Sequence, residues 1–215
     1  LLRDLEGLTQ KILTMGSMVE EATNQAISAL LDRQPEVARE VLRSDDRIDQ
    51  TELEVEEECL KILALHQPVA VDLRFIIAVL KVNNDLERMG DLATSIAERA
   101  EFLSTHPPLP YSADFSKMVA QVRIMVQGSL DALVQHDPLL ARKICAMDDI
   151  VDEAQRRLFT ELQDLMRRDM ETIERAIHAL SASRSLDRIA DLATNIAEDV
   201  VFMIEGEVIR HRHGH

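Results

Sequence analysis

Residues 84–98 read NDLERMGDLATSIAE and residues 184–198 read RSLDRIADLATNIAE, with nine of fifteen positions identical at a spacing of one hundred. The matches are Leu86/Leu186, Arg88/Arg188, Asp91/Asp191, Leu92/Leu192, Ala93/Ala193, Thr94/Thr194, Ile96/Ile196, Ala97/Ala197 and Glu98/Glu198. Repetition this dense makes the chain two copies of one unit, so any fold it adopts must work twice and must join its halves. An acidic residue followed four later by Asp, Glu87 to Asp91 and Asp187 to Asp191, stands at equivalent places in both copies.

The secondary structure of each copy follows from what the chain lacks. There is no Trp, one Tyr and little strict alternation of apolar and polar residues, while Leu, Ala, Ile, Val and Met recur at helical spacing. Prolines supply the punctuation. Pro35 and Pro138 occupy matching places where one apolar-periodic segment gives way to the next, and a proline is tolerated in the first turn of a helix. Pro68 opens another segment, and the run Pro107, Pro108, Pro110 reads as a linker over 106–112. The pattern predicts helices at 2–32, 35–65, 69–105, 113–136, 138–168 and 170–209. The expected fold is all-α: two tandem, homologous up-down-up three-helix bundles packed side by side, over 1–105 and 113–209. The end of the chain, 210–215, carries His211, His213 and His215 and reads as a tail.

The acidic residues carry the functional argument. In the third helix Leu73, Ile77 and Leu80 step as a packed seam should, and the same step then lands on Asn84, Glu87, Asp91, Thr94 and Glu98. The sixth helix repeats this from Ile173, Ile177 and Leu180 into Arg184, Asp187, Asp191, Thr194 and Glu198. A second stripe, Leu86, Met89, Ala93, Ile96, Ala100 and Leu103, anchors the third helix in a core. The second helix presents Asp45 and Asp49, with Glu52 and Glu56 continuing the face, and the fifth presents Asp148 and Asp152. Counted outward from the turn, Asp45/Asp49 and Glu87/Asp91 fall within roughly 3–5 Å of one level, and so do Asp148/Asp152 and Asp187/Asp191. Crowded like charges destabilise. Arg47, Arg74, Arg88 and Arg188 must neutralise them, or some must hold protons, or cations must bind. Oxygen-only ligands suit Mg, Mn, Ca or iron.

Composition narrows the alternatives. With 39 acidic against 24 basic residues the net charge is −15, which excludes nucleic acid or an anionic membrane as the main partner. Cys59 and Cys145 lack zinc or redox spacing and read as reduced, partly buried thiols. No stretch approaches the ~20 apolar residues of a membrane span, so the expected location is the cytoplasm. A ferritin-type oxidase needs Glu-x-x-His pairs, which do not occur; there is no Gly-rich phosphate loop, and Ser181, Ser183 and Ser185 beside His178 form no nucleophile–base set. No enzymatic activity is expected. A metal-free helical adaptor is the other reading.

The run LHQPVAVDLRFIIAVLKVNNDLERMGDLATSIAER, with SLDRIADLATNIAED and the acidic runs at 45–49 and 148–152, resembles the signature of the PhoU family over essentially the whole chain. The resemblance implies metal binding through Asp45, Asp49, Glu87, Asp91, Asp148, Asp152, Asp187 and Asp191, with Glu98 and Glu198 as possible additions. It implies a negative regulator of phosphate uptake and phosphate-starvation signalling. Such a regulator sits between the ATPase subunit of a phosphate ABC transporter and a phosphate-sensing histidine kinase, as a homodimer that meets the membrane only through its partners. The alternating histidines near the end depart from the family pattern.

Overall fold

Apolar residues at helical spacing, interrupted only at the prolines and one pair of turns, give seven α-helices in the computed structural model, which describes residues 1–109 and 114–209. They are α1 (Leu2–Asp32), α2 (Pro35–His66), α3 (Ala70–Ser104), α4 (Asp114–Gln135), α5 (Pro138–Cys145), α6 (Asp148–Arg168) and α7 (Ile173–Glu205), with a 3₁₀ turn at Met170–Thr172. Helices α1, α2 and α3 pack as one up-down-up bundle, and α4, α5–α6 and α7 as another. The most extensive interface in the molecule joins them, α3 against α7. No strand occurs among the described residues.

The turns are built alike in both copies. Arg33 and His136 close α1 and α4 in the left-handed region, with φ of 55° and 52°, and Pro35 and Pro138 then start the next helix. Asp137 also caps α5, accepting from the Leu139 and Leu140 amides at 2.9 and 3.0 Å. Gly206, at φ 73°, ends α7, and its amide reaches Phe202 O at 2.9 Å. The last helix therefore stops short of residue 209, and the tail at 210–215 lies outside the described residues, as do 110–112 of the expected linker.

Two expectations fail here. The helix expected over 138–168 is interrupted at Ala146–Met147. There Met147 N bonds Ile144 O at 3.0 Å and Ile150 N bonds Met147 O at 3.1 Å, so the i→i−4 ladder tightens to i→i−3 for a turn. Neither Pro nor Gly marks this step, and Asp148 consequently sits in the first turn of α6. The expected seam is packed only in part: Leu73, Ile77 and Ile177 are exposed, whereas Leu80 packs against the core and Leu180 is buried, because the neighbouring stripe turns inward. That stripe, Leu86 through Leu103, is fully buried as expected.

Close approach of α2 to α3 depends on Gly90. A methyl group there would stand 3.2 Å from Ile48, which lies between Asp45 and Asp49 on α2. In the second copy the equivalent positions hold Ala190 and Val151, one methyl gained and one lost. Across the α3–α7 interface, Lys81 Nζ lies 3.3 Å from Asp199 Oδ1, and Asp199 is buried. His178 stacks on Phe102 at 3.7 Å and takes no part in the acidic sites. Both thiols are buried; burial pushes Cys59 up to about 12 and Cys145 to about 11, which leaves them unreactive.

Candidate metal centre

Antiparallel packing of α2 on α3 brings one oxygen each of Asp45, Asp49 and Asp91 within 4.8 Å of one another. Packing of α6 on α7 does the same for Asp148, Asp152 and Asp191. Each triad takes two ligands from an i,i+4 pair on one helix and the third from its neighbour, a geometry that suits a hard cation held by carboxylates. Glu87 and Asp187 stand outside the triads but inside their electrostatic reach. Glu87 is raised first by burial, then by Asp91, Asp49, Glu52 and Asp45. Glu52, whose carboxyl is raised by burial and by Glu56 and Asp49, extends the first cluster beyond the eight residues chosen from sequence. Its signal was already present as a continuation of the Asp45–Asp49 face.

The two centres differ in depth. In the first, Asp49 and Asp91 are raised by burial and by their acidic neighbours, and Thr94 Oγ1 donates to Asp45 Oδ1 at 3.1 Å. In the second, Asp187 and Asp191 are pushed up to about 6, burial being the largest cause for both. Asp152 and Asp148 add to the effect on Asp187, and Asp148, Asp187 and Asp152 to that on Asp191. Arg156 and Arg188 pull the other way and are outweighed. Among the described residues Asp187 Oδ1 and Thr194 Oγ1 are buried without a hydrogen-bond partner, whereas Thr94, the counterpart of Thr194, has one. Of the two added candidates, Glu198 lines a groove with Asp148 and Asp191, while Glu98 is exposed and outside both triads.

The arginines do not neutralise these groups. Among the described residues no Lys or Arg nitrogen lies within 4.0 Å of Asp45, Asp49, Glu87, Asp91, Asp152, Asp187 or Asp191. Arg47 faces a groove between α1 and α2, and Arg74 lies against Gly206. The electrostatic penalty is left standing, to be relieved by protons or cations. Buried orphan oxygens and an all-carboxylate donor set fit a metal ion.

A family model, the PhoU domain, matches residues 12–100 and 115–200, once on each bundle. The chain belongs to the PhoU family. It is 40% identical over 213 residues to a "Phosphate-specific transport system accessory protein PhoU homolog" of Aquifex aeolicus, covering 99% of this chain and 96% of that protein. A Pseudomonas aeruginosa homolog of the same description is 39% identical, with 97% and 86% covered. The crystal structure of PhoU from Pseudomonas aeruginosa superposes with a TM-score of 0.93 at 39% identity, covering 95% of this chain and 99% of that one. That of the phosphate transport system regulatory protein PhoU from Streptococcus pneumoniae gives 0.88 at 30%, with 95% and 97% covered. No helix among the described residues is long and apolar enough to cross a membrane.

Proposed function

We propose that this PhoU-family chain is an accessory regulator of a phosphate transport system, acting by protein contact and carrying metal ions at its two carboxylate triads. The observation that carries the reading is the pair of triads, equivalently placed, with no Lys or Arg nitrogen among the described residues within 4.0 Å of Asp45, Asp49, Asp91, Asp152 or Asp191. Asp45, Asp49 and Asp91 would hold one ion, and Asp148, Asp152 and Asp191 another, with Glu87 and Asp187 adjoining. Mg, Mn, Ca or iron would cross-link α2 to α3 and α6 to α7 and remove the repulsion within each pair. Neither triad contains a histidine, so the donor set differs from that of a ferritin-type oxidase.

The finer reading is repression of phosphate-starvation signalling from the cytoplasm, through a transporter ATPase subunit and a sensor histidine kinase, by a homodimer. The net charge of −15 favours basic patches on those partners, with association weakening as salt screens it. Two measurements test the proposal. Metal analysis with anomalous scattering should find two centres, and Asp91→Asn should empty the first while leaving the second nearly full. Deletion of the gene should switch on phosphate-starvation genes in phosphate-replete cells. Silent genes and no partner captured at low salt would reject the regulatory reading; metal-free protein from an untagged preparation would leave a helical adaptor.

A further inference from the structure

A groove of about 630 Å³ runs between α3 and α7 where the two bundles meet. Its lining is nearly symmetric: Arg88 and Asp91 from α3, Arg188 and Asp191 from α7, with Asn195 beside them. Asp91 belongs to one triad and Asp191 to the other, so both candidate centres border the same groove. The guanidiniums are not committed to those carboxylates. Among the described residues Arg88 makes one ion pair, a long 3.9 Å approach to Asp85 on its own helix, and its side chain is 59% exposed. Arg188 makes none within 4.0 Å among the described residues. Neither arginine lies in a triad, so metal binding leaves both unexplained.

We propose that this groove binds a tetrahedral oxyanion of the phosphate class, free or as the terminal phosphoryl of a larger molecule, between Arg88 and Arg188. A guanidinium offers a rigid fork of donors that matches phosphate oxygens, and two of them, one from each repeat, suit an anion with oxygens on every side. While the triads are ionised and empty, Asp91 and Asp191 repel such a ligand. Cations in the triads offset most of this carboxylate charge and leave the two guanidiniums and the Asn195 amide to donate to an anion in the groove. The inference therefore rests on the metal reading and adds to it a reason for two centres to flank one groove: metal loading and anion capture become linked equilibria.

Equilibrium dialysis with radiolabelled inorganic phosphate tests this on the whole chain, manganese-loaded and chelator-treated, with metal content measured in the same samples. Wild type should retain phosphate when loaded and lose most of it after chelation. Arg88→Gln with Arg188→Gln should weaken retention roughly ten- to hundredfold while metal content holds, since charge-assisted hydrogen bonds are lost and no triad residue is touched. Competition by ATP stronger than by unlabelled phosphate assigns the site to a terminal phosphoryl; the reverse order assigns it to free phosphate. No retention by the loaded protein overturns the inference, as does equal retention by the double variant, which puts the anion on the metal alone. If no metal loads, the metal reading fails separately. Arginine-dependent retention by the metal-free protein then still supports the groove, and its absence overturns it.

Discussion

Asp187→Asn should stabilise the metal-free protein, although it alters a half-buried position on a central helix. Asp187 has one buried oxygen without a hydrogen-bond partner, and burial with Asp152 and Asp148 raises its carboxyl from 3.8 to about 6. A shift of that size penalises the ionised form by about 3 kcal/mol in the folded state, and partial exposure reduces it to roughly 1.5–3. Because the folded pKa lies above the unfolded one, the folded state favours the protonated form. Stability from this group is present in acid and is lost as pH rises from about 4 through about 6. Asparagine keeps the shape, drops the charge and can donate to Asp152. At pH 7.5 in chelator the variant should melt about 4–9 °C above wild type, at the ~3 °C per kcal/mol expected of a chain this long. The gain should shrink steadily towards pH 4.5. With metal present the order should reverse, since a neutral side chain no longer helps to draw in a cation. Thermal melts at several pH values, with and without chelator, read all of this. An unchanged or lower midpoint in chelator at pH 7.5 refutes the claim that burying a carboxylate beside its acidic neighbours is the standing cost of the second centre.

Three further outcomes follow from other parts of the molecule. Metal should raise the melting temperature of wild type more at pH 7.5 than at pH 4.5, because ligand carboxylates must be ionised; a chelator-insensitive midpoint at pH 7.5 contradicts it. Gly90→Ala places a methyl 3.2 Å from Ile48, a crowding that offsets the ~1 kcal/mol alanine gains in helix propensity, and should weaken metal at the first centre more than at the second by titration. Lys81→Met removes one partner of buried Asp199, at 3.3 Å across the seam, and should cost about 1 kcal/mol in denaturant melts, with metal content unchanged.

The all-helical fold was legible because it rests on features with a fixed sequence period: prolines at the first turn, apolar stripes at helical spacing, and a repeat that halves the problem. The acidic centres were legible for the same reason, since counting residues from a turn sets the level at which antiparallel helices meet. Reading failed where the deciding term is tertiary. Leu73 and Ile77 have seam spacing, but which of two adjacent stripes faces the core depends on where α7 docks, and no local pattern encodes that. The turn at Ala146–Met147 has no breaker residue, and it moves Asp148 from mid-helix to a first turn, where an acidic side chain is favoured by the helix dipole. Three of four carboxylates converge in each centre. Which one stands aside is set by side-chain reach, a matter of ångströms that spacing in whole residues does not resolve.

The Lys81–Asp199 bridge bears on why the two units share one chain. In a symmetric dimer every contact appears twice, because residue i of one subunit meets residue j of the other and the converse. The counterparts of Lys81 and Asp199 are Ser181 and Arg99, so the mirror-related bridge does not exist here. A covalent tether removes the demand for self-complementarity and replaces subunit concentration with a fixed local one. Each face of the seam is then free to specialise: one half can hold an ion pair where the other holds a hydroxyl. The same freedom lets two centres of common design differ in depth, and so in the conditions under which each fills.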